Sequence, residues 1–373
     1  MIVKFASSTL LLTFCIWIPP LMAAPPPGLA SEAKTWDRLT AARYLDARQQ
    51  WWMDWPKSQR DHETVCVSCH TAIPYAMARP SLRKSLKEDS PSVQEKRMLG
   101  YVVKRVTLWK ETQPFYSNES VGPQKTPESR GTESVLNALV LTRYDEPSGH
   151  MRQITKDAFA NMWASQLTTG EERGSWSWLN FHNAPWESNE SHYWGATVAA
   201  IAIGLAPEEY RRERAIRPKL DLLRGYLNRE YHKQPLINCI AVLWASTRIP
   251  GLLTTEKRAV LLKEIRDHQQ ADGGWTLSNL GSWKRRDNTP LDTESDGYAT
   301  GLIVYVLTQA GVSPDRAEVK KATSWLIVNQ QKDGHWSATS LNKKRDPASD
   351  PAKFMTDAAT SYAVLALDAV QTR

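Results

Sequence analysis

The sequence has few cysteines and few long apolar runs, and each shortage excludes a class of protein. Of its four cysteines, Cys15 lies in the N-terminal apolar stretch, which leaves Cys66, Cys69 and Cys239 for the rest of the 373-residue chain. Three thiols are too few for a disulfide framework. After residue 23 no stretch is apolar enough to cross a bilayer. The formal net charge is +7, but the charges are dispersed, so an extended nucleic-acid-binding tract is not expected.

Phenylalanine is also scarce, with 6 residues, whereas tryptophan is abundant, with 16. Tryptophan at this frequency is typical of a repeat that uses the ring as a fixed packing element, or of a site lined with aromatic rings. The hydrophobic content of 41% and the charged content of 23% are those of a globular chain. Its length allows one large domain or two modest ones.

The first 23 residues have the pattern of an export signal. Lys4 precedes an apolar run over Leu10–Ile18, and small residues follow at Ala23 and Ala24. This order predicts a secretory signal peptide over residues 1–23, cleaved after Ala23, and therefore a periplasmic or secreted protein. An uncleaved anchor is the alternative.

A Cys-x-x-Cys-His motif occupies residues 66–70. In c-type cytochromes the two thiols of such a motif bind the haem vinyl groups and the adjacent imidazole binds the iron. The motif therefore predicts one covalent haem c, attached through Cys66 and Cys69, with His70 as the iron ligand. A Cys66–Cys69 disulfide and half of a zinc site are the alternatives, and the zinc site lacks a second cysteine pair.

The sixth iron ligand is less determined. Met77 is the candidate, and Met98 and His62 are the other residues considered; an open sixth position would instead favour chemistry on a substrate. Trp51–Trp55, just before the motif, are predicted to form a wall for the macrocycle. Residues 24–94 are expected to form an N-terminal segment that carries the haem and packs against a larger body.

That larger body contains an internal repeat. The stretch Gln269–Trp275 recurs at Gln330–Trp336, with each matched position shifted by 61 residues, and the same shift carries Asp296 onto Asp357. A weaker copy has Gln166, Trp176 and Glu190. Agreement without a gap over this distance indicates an internal duplication.

Each repeat unit predicts an amphipathic outer helix, a Gln–Trp turn, a polar loop, and an apolar inner helix that begins at an acidic residue. Helices that are apolar nearly all round must be buried. Alternating buried and amphipathic helices predict an all-α fold, an α/α toroid over residues 95–373. The predicted inner helices are Glu133–Tyr144, Glu190–Leu205, Leu236–Thr247, Asp296–Gln309 and Asp357–Val370, and the outer ones include Glu256–His268 and Ala317–Asn329.

The Q-x-x-G-x-W elements resemble the QW repeats of the squalene–hopene cyclase and prenyltransferase superfamily. The resemblance covers roughly residues 95–373 and implies a structural role, in which the Gln caps a helix end and the Trp stacks beside it. Cyclases of that family also use an Asp-x-Asp-Asp motif, and the nearest run here, Asp292–Asp296, has a different spacing. Protonation-driven cyclisation is therefore not expected. The residues that inherit the structural role are Gln270, Trp275, Gln331, Trp336, Gln166 and Trp176.

The acids of the inner helices form a candidate catalytic set. Because inner helices of a toroid run parallel, their N-termini meet at one mouth, where four carboxylates would surround the cavity with His192 nearby. The alternative is that these acids cap helix N-termini. The four carboxylates are Glu133, Glu190, Asp296 and Asp357.

Two basic clusters, Trp283–Arg286 and Lys343–Arg345, lie in equivalent loops of the repeat. They predict one basic face, which is either solvated or docks to an acidic redox partner protein or an anionic membrane.

The resulting functional hypothesis is an exported haem protein that performs redox chemistry on, or binds, an apolar isoprenoid-like ligand held in the toroid. One alternative is a non-enzymatic electron-transfer or sensor module. The other is a haem-free toroid enzyme, either a divergent terpene cyclase or a polysaccharide-active enzyme, since α/α toroids also carry glycan lyases.

Overall fold

A computed structural model of the chain describes Met1 and residues 35–117 and 122–372. The described residues from Trp36 onward form one compact unit. Apart from Met1, the predicted signal peptide lies outside the described residues. Within those residues no helix is long and apolar enough to cross a membrane.

Over residues 35–117 and 122–372 the fold is all-α apart from a two-stranded antiparallel hairpin, β1 (Gln59–Arg60) with β2 (Thr64–Val65). In chain order the described helices are α1 (Arg38–Asp54), α2 (Ala72–Ser85), α3 (Val93–Thr107), α4 (Gly122–Asp145), α5 (Gln153–Ala164), α6 (Ser191–Leu205), α7 (Glu208–Arg212), α8 (Arg217–Glu230), α9 (Leu236–Ser246), α10 (Thr255–Asp267), α11 (Gly297–Gln309), α12 (Ala317–Asn329) and α13 (Asp350–Gln371).

Buried inner helices alternate with amphipathic outer helices, and the inner ones form a closed ring. Helices α4, α6, α9, α11 and α13 pack in sequence, and α2 packs against both α13 and α4. Nearly every residue of α6 and α11 is buried, because both helices are apolar on all sides. The predicted α/α toroid is confirmed. The N-termini of its inner helices lie at one end, which we call the mouth.

A tryptophan fixes each of three repeat turns to the outer helix that precedes it. The indole Nε1 of Trp275 donates to the carbonyl of Ile265 at 2.8 Å, and that of Trp336 donates to Leu326 at 2.7 Å. Trp176 makes the same bond to Met162 at 2.6 Å. All three indoles are fully buried, so each bond satisfies a donor that could not reach water.

In each turn a glutamine links two consecutive outer helices. In the two intact repeats this glutamine is the residue before the predicted one, Gln269 in place of Gln270 and Gln330 in place of Gln331. Gln269 donates to the carbonyls of Gly273 and of Glu318 in α12, both at 2.8 Å. Gln166 makes the equivalent pair of bonds, donating to the carbonyl of Gly174 at 3.1 Å and to that of Lys219 in α8 at 3.0 Å. The predicted residue Gln270 donates instead to the loop carbonyl of Thr293, and Gln331 donates to the carbonyl of Asn329 at the end of α12.

The third such turn closes the ring onto α1. Gln330 donates to the carbonyls of Gly334 and Asp37, and Asp37 is the N-cap of α1. Gly334 has a φ of +95°, and a Cβ there would lie 2.3 Å from the backbone of Thr40, so a glycine is required. Within the predicted N-terminal segment of residues 24–94, α1 and α2 pack together as a helical hairpin of the ring.

Two inner helices begin earlier than predicted. Helix α4 starts at Gly122, so Glu133 lies within it, and α13 starts at Asp350, so Asp357 lies two turns inside. The stretch before Glu133 is helical although it contains Gly and Pro, and a Cβ on Gly131 would lie 2.0 Å from the carbonyl oxygen of Ser177, which explains the glycine. The prediction that these two acids begin their helices is wrong.

Candidate functional site

The Cys-x-x-Cys-His motif lies in the loop between α1 and α2, at the mouth of the toroid. The hairpin β1–β2 leads into it, and the indole of Trp52 donates to the carbonyl of Cys66 at 2.7 Å. Helix α2 begins directly after His70 and Thr71. Since α2 is an inner helix, the motif is held between the rigid ring and the α1 helix.

His70 is held by a chain of buried hydrogen bonds. Its Nδ1 lies 2.8 Å from the hydroxyl of Thr71, which donates to a carboxylate oxygen of Asp357 at 2.7 Å. Asp357 also accepts from the guanidinium of Arg48 at 2.8 and 3.2 Å and from the hydroxyl of Tyr44 at 3.1 Å. The single hydroxyl hydrogen of Thr71 goes to the carboxylate, so its oxygen must accept from His70 Nδ1–H. This assigns the proton to Nδ1 and leaves a lone pair on Nε2.

Burial keeps the imidazole neutral and the two thiols protonated. Desolvation, aided by the positive charge of Arg48, lowers the pKa of His70 to about 3. Burial raises the pKa of Cys66 to about 12 and also raises that of Cys69. Both thiols are free. A neutral imidazole with an available Nε2 is the form that binds a metal.

A cavity of about 420 Å³ opens beside His70. Phe354 stacks on the His70 ring at 3.8 Å between centroids, and Trp52 meets that ring edge-on at 4.8 Å. The volume falls within the range of small-molecule and cofactor sites, roughly 300–1,000 Å³. The walls come from the end of α1, from four loops at the mouth and from the start of α13: Trp52, Trp55, Cys69, His70, Tyr116, Phe181, Asn183, Ala184, Trp186, Glu187, Ser340, Asn342, Arg345, Pro351, Phe354 and Met355.

Glu187 is the single carboxylate among the described residues that line this cavity. Burial raises its pKa to about 7, against the opposing effects of the Asn183 side chain and the charge of Lys125. A carboxyl group with this pKa can exchange a proton near neutral pH. The sequence prediction did not include it, although it lies in the aromatic stretch between Trp176 and Trp194 that contributes Trp186 to the wall.

The predicted catalytic residues do not line this cavity, and they are not brought together. Glu133 forms a fully buried ion pair with Arg105. Asp296 accepts from the backbone N–H of Ala299 as the N-cap of α11. Burial raises the pKa of Asp296 to about 6. Asp357 supports His70, as described above.

The two remaining predicted residues lie at the start of α6. Glu190 is its exposed N-cap residue and accepts from the hydroxyl of Ser188 at 2.8 Å. His192 is half-buried, and its Nδ1 lies 3.8 Å from a carboxylate oxygen of Glu172. Neither side chain approaches the other predicted acids.

Asp296 and Asp357 are not structurally equivalent, contrary to the gapless shift of 61 residues. The backbone N–H of Trp275 donates to Thr300, and that of Trp336 donates to Thr360. These threonines are 60 residues apart, so one residue is lost between the Trp and the inner helix. Asp296 therefore corresponds to Thr356, and Asp357 is free for a different role.

The methionine predicted as sixth ligand lies elsewhere. Met77 is buried in α2 and does not line the cavity, and neither do Met98 and His62. Met355, on α13, does line it. The described residues contain no group of three or more His, Cys, Asp or Glu side chains arranged to hold a metal ion.

Comparison with known proteins supports the fold. The model of the squalene-hopene cyclase C-terminal domain matches residues 295–373, and no curated protein matches the chain. An inactive variant of the alpha-1,6-mannanase GH76A of Salegentibacter sp. HEL1_6, in complex with alpha-1,6-mannotriose, superposes with a TM-score of 0.53 at 10% identity, over 90% of this chain and 100% of that one. A second variant, with alpha-1,6-mannotetrose, gives 0.50 at 10% identity, over 90% and 99%. At this identity the likeness shows the fold alone.

Proposed function

We propose that this chain is an exported c-type haem protein with the haem at the mouth of a squalene-cyclase-like toroid, and that its function is redox exchange or ligand binding at that haem. One observation carries the proposal. His70, beside the two free thiols of its motif, is fixed by Thr71 and Asp357 in the tautomer that presents Nε2 for iron.

The residues present fit this cofactor. Cys69 and His70 both line the cavity, and Cys66 lies on the same loop three residues earlier. Trp52, Trp55 and Phe354 provide the apolar walls that a macrocycle requires. A haem bound there supplies a one-electron centre, and the chain supplies its attachment, a proximal ligand of fixed tautomer and a mostly apolar surrounding.

The decisive experiment is expression with a signal sequence in a host that matures c-type cytochromes, followed by a pyridine haemochrome spectrum and an intact mass. A c-type band with the added mass of one haem is expected. Replacing Cys66 and Cys69 by alanine should abolish both, whereas Cys239→Ala is the matched control, because Cys239 is buried in α9 away from the motif. A colourless protein from a host that matures a control cytochrome would refute the proposal.

Carbon monoxide separates a catalyst from an electron carrier. Binding to the reduced protein would indicate an open coordination position, whereas no binding would indicate a second protein ligand. Met355→Ala and Met77→Ala then test which methionine supplies it, and the cavity lining favours Met355. Spectral shifts on addition of isoprenoids would support an apolar substrate.

A polysaccharide-active enzyme is the second candidate. It is favoured by Glu187 among the rings of Trp55, Phe181 and Trp186, and by the likeness of the fold to a mannanase. Hydrolysis of a glycosidic bond ordinarily needs two carboxyl groups, and this cavity is lined by one. The candidate predicts glycan cleavage that Glu187→Gln abolishes and that replacing Cys66 leaves unchanged.

A further inference from the structure

We propose that the loops Trp283–Arg286 and Lys343–Arg345 form a docking surface for an acidic one-electron carrier protein, beside the cavity that contains His70. The inference rests on the proposed haem, because the partner would lose one electron and the iron would gain it. No bond is made or broken in this exchange, so the surface has to supply encounter and orientation.

The two loops come from consecutive repeats and are joined directly. The backbone N–H of Arg286 donates to the carbonyl of Asn342 at 3.0 Å, and that of Lys344 donates to the carboxylate of Asp287 at 2.8 Å. The buried guanidinium of Arg285 donates to the carbonyl of Ser340 at 2.9 Å. The basic side chains are therefore carried on a fixed platform.

A third loop ties this platform to the cavity wall. Arg286 donates to the side chain of Asn183 at 2.6 Å. The side chain of Asn342 exchanges two hydrogen bonds of 2.8 Å with the backbone of Ala184. Asn183, Ala184, Asn342 and Arg345 all line the cavity. The platform consequently forms one rim of the opening.

Exposure and charge identify the kind of partner. Five basic side chains are exposed here: Lys284, Arg286, Lys343, Lys344 and Arg345. The exposed acids of the same two loops are Asp287, Asp292, Glu294 and Asp346, and Asp292 is paired with the buried guanidinium of Arg285 at 2.7 Å. The surface thus keeps an excess of positive charge. None of the exposed large hydrophobic side chains of the described chain lies in these loops, so none is available to insert into a bilayer. A small, polar, charge-guided interface is typical of electron-transfer partners.

The test compares two double variants with the same charge change. Lys343→Glu with Lys344→Glu reverses the rim and leaves the cavity-lining Arg345 intact. Lys84→Glu with Lys87→Glu is the control, because these exposed lysines lie in the last turn of the inner helix α2 and just after it, at the end opposite the mouth. The probe is a flavodoxin hydroquinone, an acidic one-electron donor, with haem reduction followed by stopped flow.

At low ionic strength the rim variant should be reduced at least tenfold more slowly than the wild type, and the control within twofold of it. The wild-type rate should also fall with added salt. Equal effects of the two variants, or a rate independent of salt, would overturn the proposal. So would stronger binding to vesicles rich in anionic lipid than to flavodoxin.

Binding of fluorescently labelled flavodoxin, measured by anisotropy, gives a readout that does not depend on haem. The same loss of affinity in the rim variant is expected in the protein with Cys66 and Cys69 replaced by alanine. A wild-type protein that is colourless but binds flavodoxin through the rim would refute the haem and leave the docking surface standing. A wild-type protein that contains haem but whose affinity for flavodoxin does not change with the rim charges would refute the docking surface and leave the haem standing.

Discussion

Asp357→Asn is the substitution that best tests how the structure holds His70. It removes the charge that balances the buried guanidinium of Arg48. Loss of one partner of a buried ion pair costs about 3–5 kcal/mol. The lower end is expected, because Asp350 remains 3.2 Å from Arg48 and is partly exposed.

The same substitution should also reverse the proton chain. The oxygen of the new amide must keep the place of Oδ1, which accepts from Arg48 Nε and from Tyr44. Its NH₂ group then takes the place of Oδ2, gives up the 3.2 Å bond from Arg48 and faces Thr71. The Thr71 hydroxyl then accepts from the amide and donates to His70 Nδ1, which places the imidazole proton on Nε2. That tautomer has no lone pair directed at a metal, so haem incorporation should fall together with stability.

Glu133→Gln is the matched control. Glu133 pairs with buried Arg105, which likewise keeps a second, partly exposed carboxylate, Asp61, at 3.4 Å. Urea unfolding should show a similar loss of about 3 kcal/mol for both variants. ¹⁵N NMR of haem-free protein, with His70 assigned from a His70→Gln spectrum, should show a changed tautomer in the Asp357 variant alone. An unchanged His70 tautomer in Asp357→Asn would refute the reasoning.

Three further outcomes are expected from the structure. Gln269→Ala should lower the free energy of unfolding by about 1–3 kcal/mol, since two carbonyls lose their donor, while Gln270→Ala should stay within about 0.5 kcal/mol; urea unfolding compares them. Asp296→Ala should cost about 1 kcal/mol as a lost helix cap and leave haem content unchanged, and a normal melting temperature with lost ligand binding would instead support its predicted catalytic role. Burial raises the pKa of Glu187 to about 7 from an ordinary 4.5. Because the folded protein holds this proton more tightly than the unfolded chain, the resulting contribution to stability is complete below about pH 4.5 and is lost as the pH rises through 7. Between pH 5 and pH 8 the free energy of unfolding should therefore fall more for the wild type than for Glu187→Gln. An equal fall for the two proteins would contradict the raised pKa.

Local patterns in the sequence were sufficient to predict most of the ring. Apolar periodicity is a property of each helix, so α6, α9, α10, α11 and α12 were predicted to within two residues. The Gln–Trp turn is equally local, because the indole bonds a carbonyl ten residues earlier in two of its copies. Helices α4 and α13 were predicted too short because the prediction began each at an acidic residue, whereas α13 starts at Asp350 with Pro351 in its first turn, and α4 continues through Pro127 and Gly131.

The Cys-x-x-Cys-His motif is visible in the sequence alone, because it is defined by spacing along the chain, and the haem it predicts remains a prediction. Its surroundings did not follow from that spacing. Glu187, Phe354 and Met355 reach the cavity from loops and helices more than 100 residues away. Aromatic stretches beside the motif and before α6 were visible, but which rings share one wall depends on how the loops fold over the mouth.

Tertiary structure alone decided the closure of the ring and the role of its acids. Gln330 bonds Asp37 across 293 residues, which makes α1 the last outer helix. A single residue lost between Trp336 and Thr360 moves Asp357 out of register with Asp296 and turns it toward Arg48 and Thr71. Sequence periodicity determined which helices exist and which face they bury, because those properties repeat along the chain. The partners of buried charges depend on three-dimensional packing, because a change of one residue in loop length alters which side chains meet.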